Sequence, residues 1–276
     1  MDKAAQVPVY DSAMRGSAAL EEWHEVLRYR YLIMQFIRRD ILTRYKRSVL
    51  GIAWTMLNPL GIMIVMTIVF SQAFGITQKG YAAYVLSGLI AWNFFAQSTN
   101  AATLHLVWGG SLIKRIYIPR TSFAISATGT GLVNLVLTMV PMLIVMVVTG
   151  VPVEPTVLLM PIPILFLAMF ALGFGLLISS FAVYYADVAE MYQIVVTAWM
   201  YLSPVIYVPN ILPEAYRPWL QLNPMYHLIQ LFRTPLYYGQ VPQLSQFLIC
   251  GGIATLTLVA GWLVFTRKAD EFAYRV

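Results

Sequence analysis

The chain has 276 residues, of which 59% are hydrophobic and 11% charged, and its formal net charge is +6. About a quarter of a soluble domain is charged, so this composition excludes an ordinary water-soluble fold. A charge of +6 alone would also suit a nucleic-acid binder. In a chain this apolar the placement of Lys and Arg is the better guide, and no nucleic acid is expected.

Residues 1–19 mix Ala, Ser, Gly and Pro with scattered charge and read as a mobile tail. They lack the short basic-then-apolar pattern of a cleaved signal peptide. From Leu20 the apolar residues Leu20, Trp23, Leu27, Tyr31 and Met34 recur at steps of three and four, with Glu21, Glu22, Glu25 and Arg28 opposite. This spacing predicts an amphipathic helix. It either lies along the membrane surface or packs on a soluble partner. Residues 20–47 therefore form this helix and a basic lead-in.

Six charge-free stretches follow: Ser48–Gln78, Gly80–Ile113, Thr121–Val153, Pro155–Ala186, Met191–Pro213 and Thr234–Thr266. A spanning helix needs about 20 apolar residues, so each is long enough. The expected fold is all-α: six transmembrane helices over residues 48–268, then a short tail at 269–276. Asn58-Pro59 should bend the first span. The second carries Asn93, Gln97, Asn100 and His105. The third steps Ser122, Ser126, Thr130 and Asn134. The fourth steps Ala171, Gly175 and Ser179. Such stripes suit close helix packing or the wall of a polar path. Asp187 and Glu190 suit a helix start, where acids favour the dipole. Six prolines between Val208 and Gln243 interrupt moderately apolar pieces, which reads as an external lid with short re-entrant helices. Cys250, the single cysteine, falls in the last span and reads as a small buried residue.

Basic residues are lopsided. Arg28, Arg30, Arg38, Arg39, Arg44, Lys46 and Arg47 precede the first span. Lys114, Arg115 and Arg120 follow the second, and Arg267, Lys268 and Arg275 follow the sixth. The alternate connections hold only Lys79, Arg217 and Arg233. Basic flanks stay cytoplasmic, so both termini, including the 1–19 and 269–276 tails, are expected inside.

The spans hold no Asp, Glu, Lys or Arg of the kind that ion-coupled carriers use. No phosphate-binding GxxxxGK[ST] loop, HExxH or nucleophile elbow occurs. No catalytic residue, metal site or cofactor site of its own is expected. The residues thus describe a membrane pathway whose motor is a separate cytoplasmic protein.

Specific motifs sharpen this reading. Arg44-Tyr45-Lys46-Arg47-Ser48-Val49-Leu50-Gly51, followed by Trp54 and Leu57-Asn58-Pro59, resembles the opening signature of ABC-2-type polysaccharide export permeases. Lys114–Pro119, Tyr184–Val188, Leu202-Ser203-Pro204-Val205-Ile206-Tyr207 and Leu222-Asn223-Pro224-Met225-Tyr226 resemble further family segments in order. Ala186 departs from the Arg common at its place. The resemblance runs from about Tyr31 to Lys268. It implies a homodimer that pairs with two cytoplasmic ABC ATPase subunits, which carry the ATP and Mg. It implies a lipid-linked substrate of O-antigen, capsule or teichoic-acid type, exported across the bacterial plasma membrane amid its lipid. Candidate ATPase contacts are Trp23, Leu27, Lys114, Arg115, Asp187 and Glu190. Candidate path residues are Asn58, Pro59, Trp92, Phe95, Trp199, Tyr201, Ser203, Pro204 and Tyr207, whose aromatic members equally suit interfacial anchors. Rival readings are an ABC-2 permease for drugs or small lipids, and a non-transport scaffold or enzyme.

Overall fold

The computed structural model describes residues 17–46, 48–74, 80–108, 118–185 and 187–275. Among them every regular element is helical. The α-helices are α1 (Ala18–Arg28), α2 (Arg30–Tyr45), α3 (Ala53–Phe74), α4 (Tyr81–Trp108) and α5 (Thr121–Val148). They continue as α6 (Pro161–Ala182), α7 (Asp187–Leu202), α8 (Arg217–Gln221), α9 (Pro224–Leu236) and α10 (Leu244–Arg275). The bundle has two ends. A tail end gathers α1, α2 and the C-terminal turns of α10. A lid end gathers α8, α9 and the 3-10 turns at Pro209–Ile211 and Glu214–Tyr216.

Four helical stretches are long and apolar enough to cross a membrane: Ala53–Ser71, Thr121–Val148, Pro155–Ala182 and Leu244–Ala269. The chain is a multi-pass membrane protein. The other two expected spans look different. α4 has the length, at 28 residues, but Asn93, Gln97, Asn100 and several Ser and Thr dilute its apolar character. α7 has 16 residues, about 24 Å at 1.5 Å per residue, against a hydrocarbon core of about 30 Å. It stops at Ser203-Pro204 because proline cannot donate to the preceding turn and disfavours helix at the residue before it.

Two boundaries differ from the sequence reading. The stretch expected as one amphipathic helix is two helices hinged at Tyr29. Leu20, Trp23, Leu27, Tyr31 and Met34 stay exposed, while Val26, Ile33 and Phe36 turn inward. The last charge-free stretch, from Thr234, is not one helix throughout. Thr234 belongs to α9, and a break follows in which Gly239 takes a left-handed φ of +62° and Pro242 precedes α10. α10 then continues unbroken to Arg275.

α1 and α2 fasten to the tail end. The Trp23 ring meets Trp262 edge-on at 5.9 Å, and Trp262 Nε1 donates to the Ala19 carbonyl. Thr121 donates from its backbone N–H (3.2 Å) and its hydroxyl (2.9 Å) to Glu22 Oε1. Glu22 therefore caps α5 from another helix, supplying an acceptor to N–H groups that have no intrahelical partner. Burial raises the Glu22 carboxyl above its ordinary pKa, against the lowering by these two hydrogen bonds.

The seam between α6 and α10 is glycine-built. A Cβ on Gly173 would stand 2.5 Å from the Leu258 backbone, and one on Gly261 would meet the Gly173 carbonyl. Gly175 instead faces Thr99 and Ala102 of α4, so the expected small-residue stripe serves a different contact. Cys250 is buried in α10.

Candidate functional site

Among the cavities that the described residues form, two gather the expected site residues. The first lies at the lid end and encloses about 820 Å³. Phe70, Trp199, Tyr201, Tyr207, Tyr216 and Trp219 supply its aromatic walls. Its shape depends on the break that ends α7. Asn223 ties the break to the lid: its Oδ1 accepts from Trp199 Nε1 (2.9 Å) and caps α9 through the Met225 N–H (3.0 Å). Its Nδ2 donates to Ser203 Oγ (2.8 Å). Tyr81 and Tyr84 of α4 donate to the carbonyls of Ile206 and Tyr207.

Arg233 on α9 closes this network from inside. The sequence reading placed it in an outer connection as a surface base, whereas the structure buries it completely, at 0% exposure. Its guanidinium donates to the carbonyls of Val205 (2.6 Å), Pro204 (2.7 Å) and Tyr84 (3.2 Å), and to Tyr84 Oη and Ser87 Oγ. Its Cζ sits 3.7 Å from the centroid of the Tyr84 ring. Among the described residues no carboxylate pairs with it. Backbone dipoles and hydroxyls hold the charge instead. Gly88 makes the room: a Cβ there would intrude on Arg233 Nη2 and stand 2.5 Å from the Val205 carbonyl.

The second cavity, about 700 Å³, is a polar cleft among α3, α4 and α5 toward the tail end. Asn58 and Pro59 line it from α3; Asn93, Gln97 and Asn100 from α4; Asn134 and Thr138 from α5. Asn93, Gln97 and Asn100 of the second span thus meet Asn134 of the third on one surface. Asn134 is 8% exposed and its Oδ1 has no hydrogen-bond partner. Arg44 lines the mouth. Just inward of it, His105 Nε2 lies 3.9 Å from Asp40 Oδ2, and Arg39 pairs with Asp40 at 3.0 Å.

The expected site residues therefore separate. Trp199, Tyr201 and Tyr207 line the lid cavity, and Ser203 and Pro204 form the break beside it. Asn58 and Pro59 belong to the tail-side cleft. Trp92 and Phe95 lie in the aromatic core, with Phe95 5.4 Å from both Phe170 and Trp199. Asp187 and Glu190 open α7 and are exposed. Trp23 and Leu27 sit half-exposed on α1. Lys114 and Arg115 lie outside the described residues. Asn223 was visible only inside a family motif, and Gly88 and the burial of Arg233 carried no local signal.

A run of exposed polar residues distinguishes α7 further. Gln193, Thr197 and Tyr201 follow at four-residue steps on its uncovered face. The exposed positions of α5 are Val133, Val136, Val140, Ile144, Val147 and Val148, an ordinary lipid face.

Long apolar helices, a helix broken inside the bundle and a lid folded back on it describe a multi-pass membrane protein with cavities in its helical bundle. Residues 31–237 match the family model for the ABC-2 type transporter, and the chain belongs to that family. It is similar to the O-antigen export system permease protein RfbA of Myxococcus xanthus, 26% identical over 251 residues, covering 90% of this chain and 96% of the relative. A Klebsiella pneumoniae RfbA is 23% identical over 247 residues, covering 88% and 93%. The capsule polysaccharide export inner-membrane protein CtrC of Neisseria meningitidis serogroup A is 25% identical over 215 residues, covering 75% and 79%.

Proposed function

We propose that this chain is the membrane subunit of an ATP-driven exporter that moves a lipid-linked polysaccharide outward across the bacterial plasma membrane. Its likeness to polysaccharide export permeases over nearly its whole length carries the reading. Two copies form a homodimer, and two cytoplasmic ABC ATPase subunits hold the ATP and Mg. Six spans place both termini inside, with α4 and α7 completing the four apolar helices; the lid helices dip into the outer leaflet. The base-rich tail end and the base-poor lid end support that orientation.

The path runs between copies along α3 and α7. The exposed Gln193–Thr197–Tyr201 run supports it, because polar groups on a lipid face are costly. Tyr201, Tyr207 and Trp199 form the outer wall, where ring faces suit sugar C–H faces, and the buried Ser203-Pro204 break behind them sets their positions. α1 with Trp23 and Leu27, the connection holding Lys114 and Arg115, and the Asp187–Glu190 turn meet the ATPases.

Co-purification with the cognate ATPase tests the assignment. The complex should hydrolyse ATP faster when lipid-linked glycan is supplied, and the isolated chain should show no turnover above background. Robust hydrolysis by the isolated chain contradicts the proposal.

A further inference from the structure

We infer that the cleft among α3, α4 and α5 binds the sugars nearest the lipid phosphate of the exported glycan, with Arg44 meeting that phosphate at the mouth. The inference rests on the function proposed above. It adds a loading site inside each subunit, whose α3 wall also borders the proposed path between copies.

Depth is the first argument. The α4 wall runs from Ile90 to Leu104, about 21 Å at 1.5 Å per residue. That matches one leaflet, half of a bilayer about 40–45 Å thick with its headgroups. The cleft therefore leads from the inner surface to the midplane, and its 700 Å³ lies in the range of pockets that hold small ligands.

Chemistry is the second. Asn58, Asn93, Gln97, Asn100 and Asn134 point five side-chain amides at one volume. An amide both donates and accepts, as neighbouring hydroxyls of a sugar require. Trp54 and Phe94 add ring faces to the same lining. An acyl chain or a dry helix seated here would leave the amides unpaired in an apolar medium, which membrane helices avoid.

Charge is the third. Among the described lining residues Arg44 is the one cation, and it is exposed near the end of α2. The amide interior is neutral, which fits an uncharged sugar following a phosphate.

The test is native mass spectrometry of the permease–ATPase complex with two probes: an isoprenyl phosphate bearing a trisaccharide, and the same lipid without sugar. Wild type should bind the sugar-bearing probe about tenfold more tightly. Gln97→Leu with Asn134→Leu should erase that preference. Arg44→Gln should weaken both probes equally. Val140→Leu on the lipid face should leave the preference intact. No preference in wild type, or a preference that survives the double variant, overturns the site. A second readout covers a double variant that fails to assemble. A photo-reactive residue replacing Leu104 should form adducts with the sugar-bearing probe; adducts only with a second copy of the chain or with ordinary phospholipid overturn it. A sugar preference without ATP-driven export would refute the proposed function and leave the site standing.

Discussion

Arg233 Nη2 donates to the Val205 carbonyl at 2.6 Å, joining the lid helix α9 to the backbone released where α7 ends. A charge here is held by carbonyls that themselves have no helical partner. Each group satisfies the other, and the aromatic wall of the lid cavity is fixed by the pair.

Removing the guanidinium leaves the Pro204 and Val205 carbonyls unpaired within the bundle. Each unpaired buried polar group costs about 1–3 kcal/mol. Arg233→Ala should therefore lose at least about 2 kcal/mol, seen as a lower Tm of the purified subunit. Arg233→Lys should recover only part, since an ammonium lacks the planar fork. An unchanged Tm in Arg233→Ala would remove the pin from the account.

Asn223→Ala should act on the same region by a different route. It deletes the α9 cap, worth about 0.5–2 kcal/mol, and frees the Trp199 indole N–H and Ser203 Oγ. A modest Tm loss should accompany a shift in tryptophan emission. Normal emission would mean Trp199 is held by its aromatic neighbours alone.

Glycine spacing at the α6–α10 seam sets a third expectation. Gly173→Ala puts a methyl against the Leu258 backbone, and such overpacking costs about 1–3 kcal/mol. Gly252→Ala meets open space and should be neutral by the same thermal assay.

The Glu22 contact is pH-sensitive with a definite sign. Its carboxyl pKa is raised in the folded chain by burial, so protonation favours the docked state. Docking of α1 is strongest below the unfolded carboxylate pKa and weakens as pH rises through the raised folded value. Glu22→Gln keeps an acceptor for Thr121 and should flatten the dependence. Fluorescence of the Trp23–Trp262 pair reads it; a pH profile unchanged by the substitution would assign the dependence elsewhere.

Much of this architecture is legible in the sequence because charge-free runs and proline positions are local signals. The start of α7 at Asp187 and the break at Ser203-Pro204 follow from residues within one turn. Arg233 does not. Counting flanking bases assumes each lies at a surface, and its burial arises only when α9 folds back onto α4, more than 140 residues away in sequence. Trp92 and Trp199 are equally aromatic in sequence, yet only the packed bundle separates the core ring from the one that also reaches the lid cavity. The amides of α4 and α5 read as separate stripes, for packing or for a polar path, until the fold sets them across a shared cleft.

The central claim is tested most directly in proteoliposomes holding the permease with its ATPase and a lipid-linked polysaccharide. Added ATP should bring glycan to the face opposite the ATPases, where an impermeant lectin captures it. Tyr201→Ala and Asn58→Leu should slow that appearance at least tenfold while the complex still assembles. Full export by both variants would remove α3 and α7 from the path, and no ATP-dependent appearance with the wild-type complex would contradict export itself.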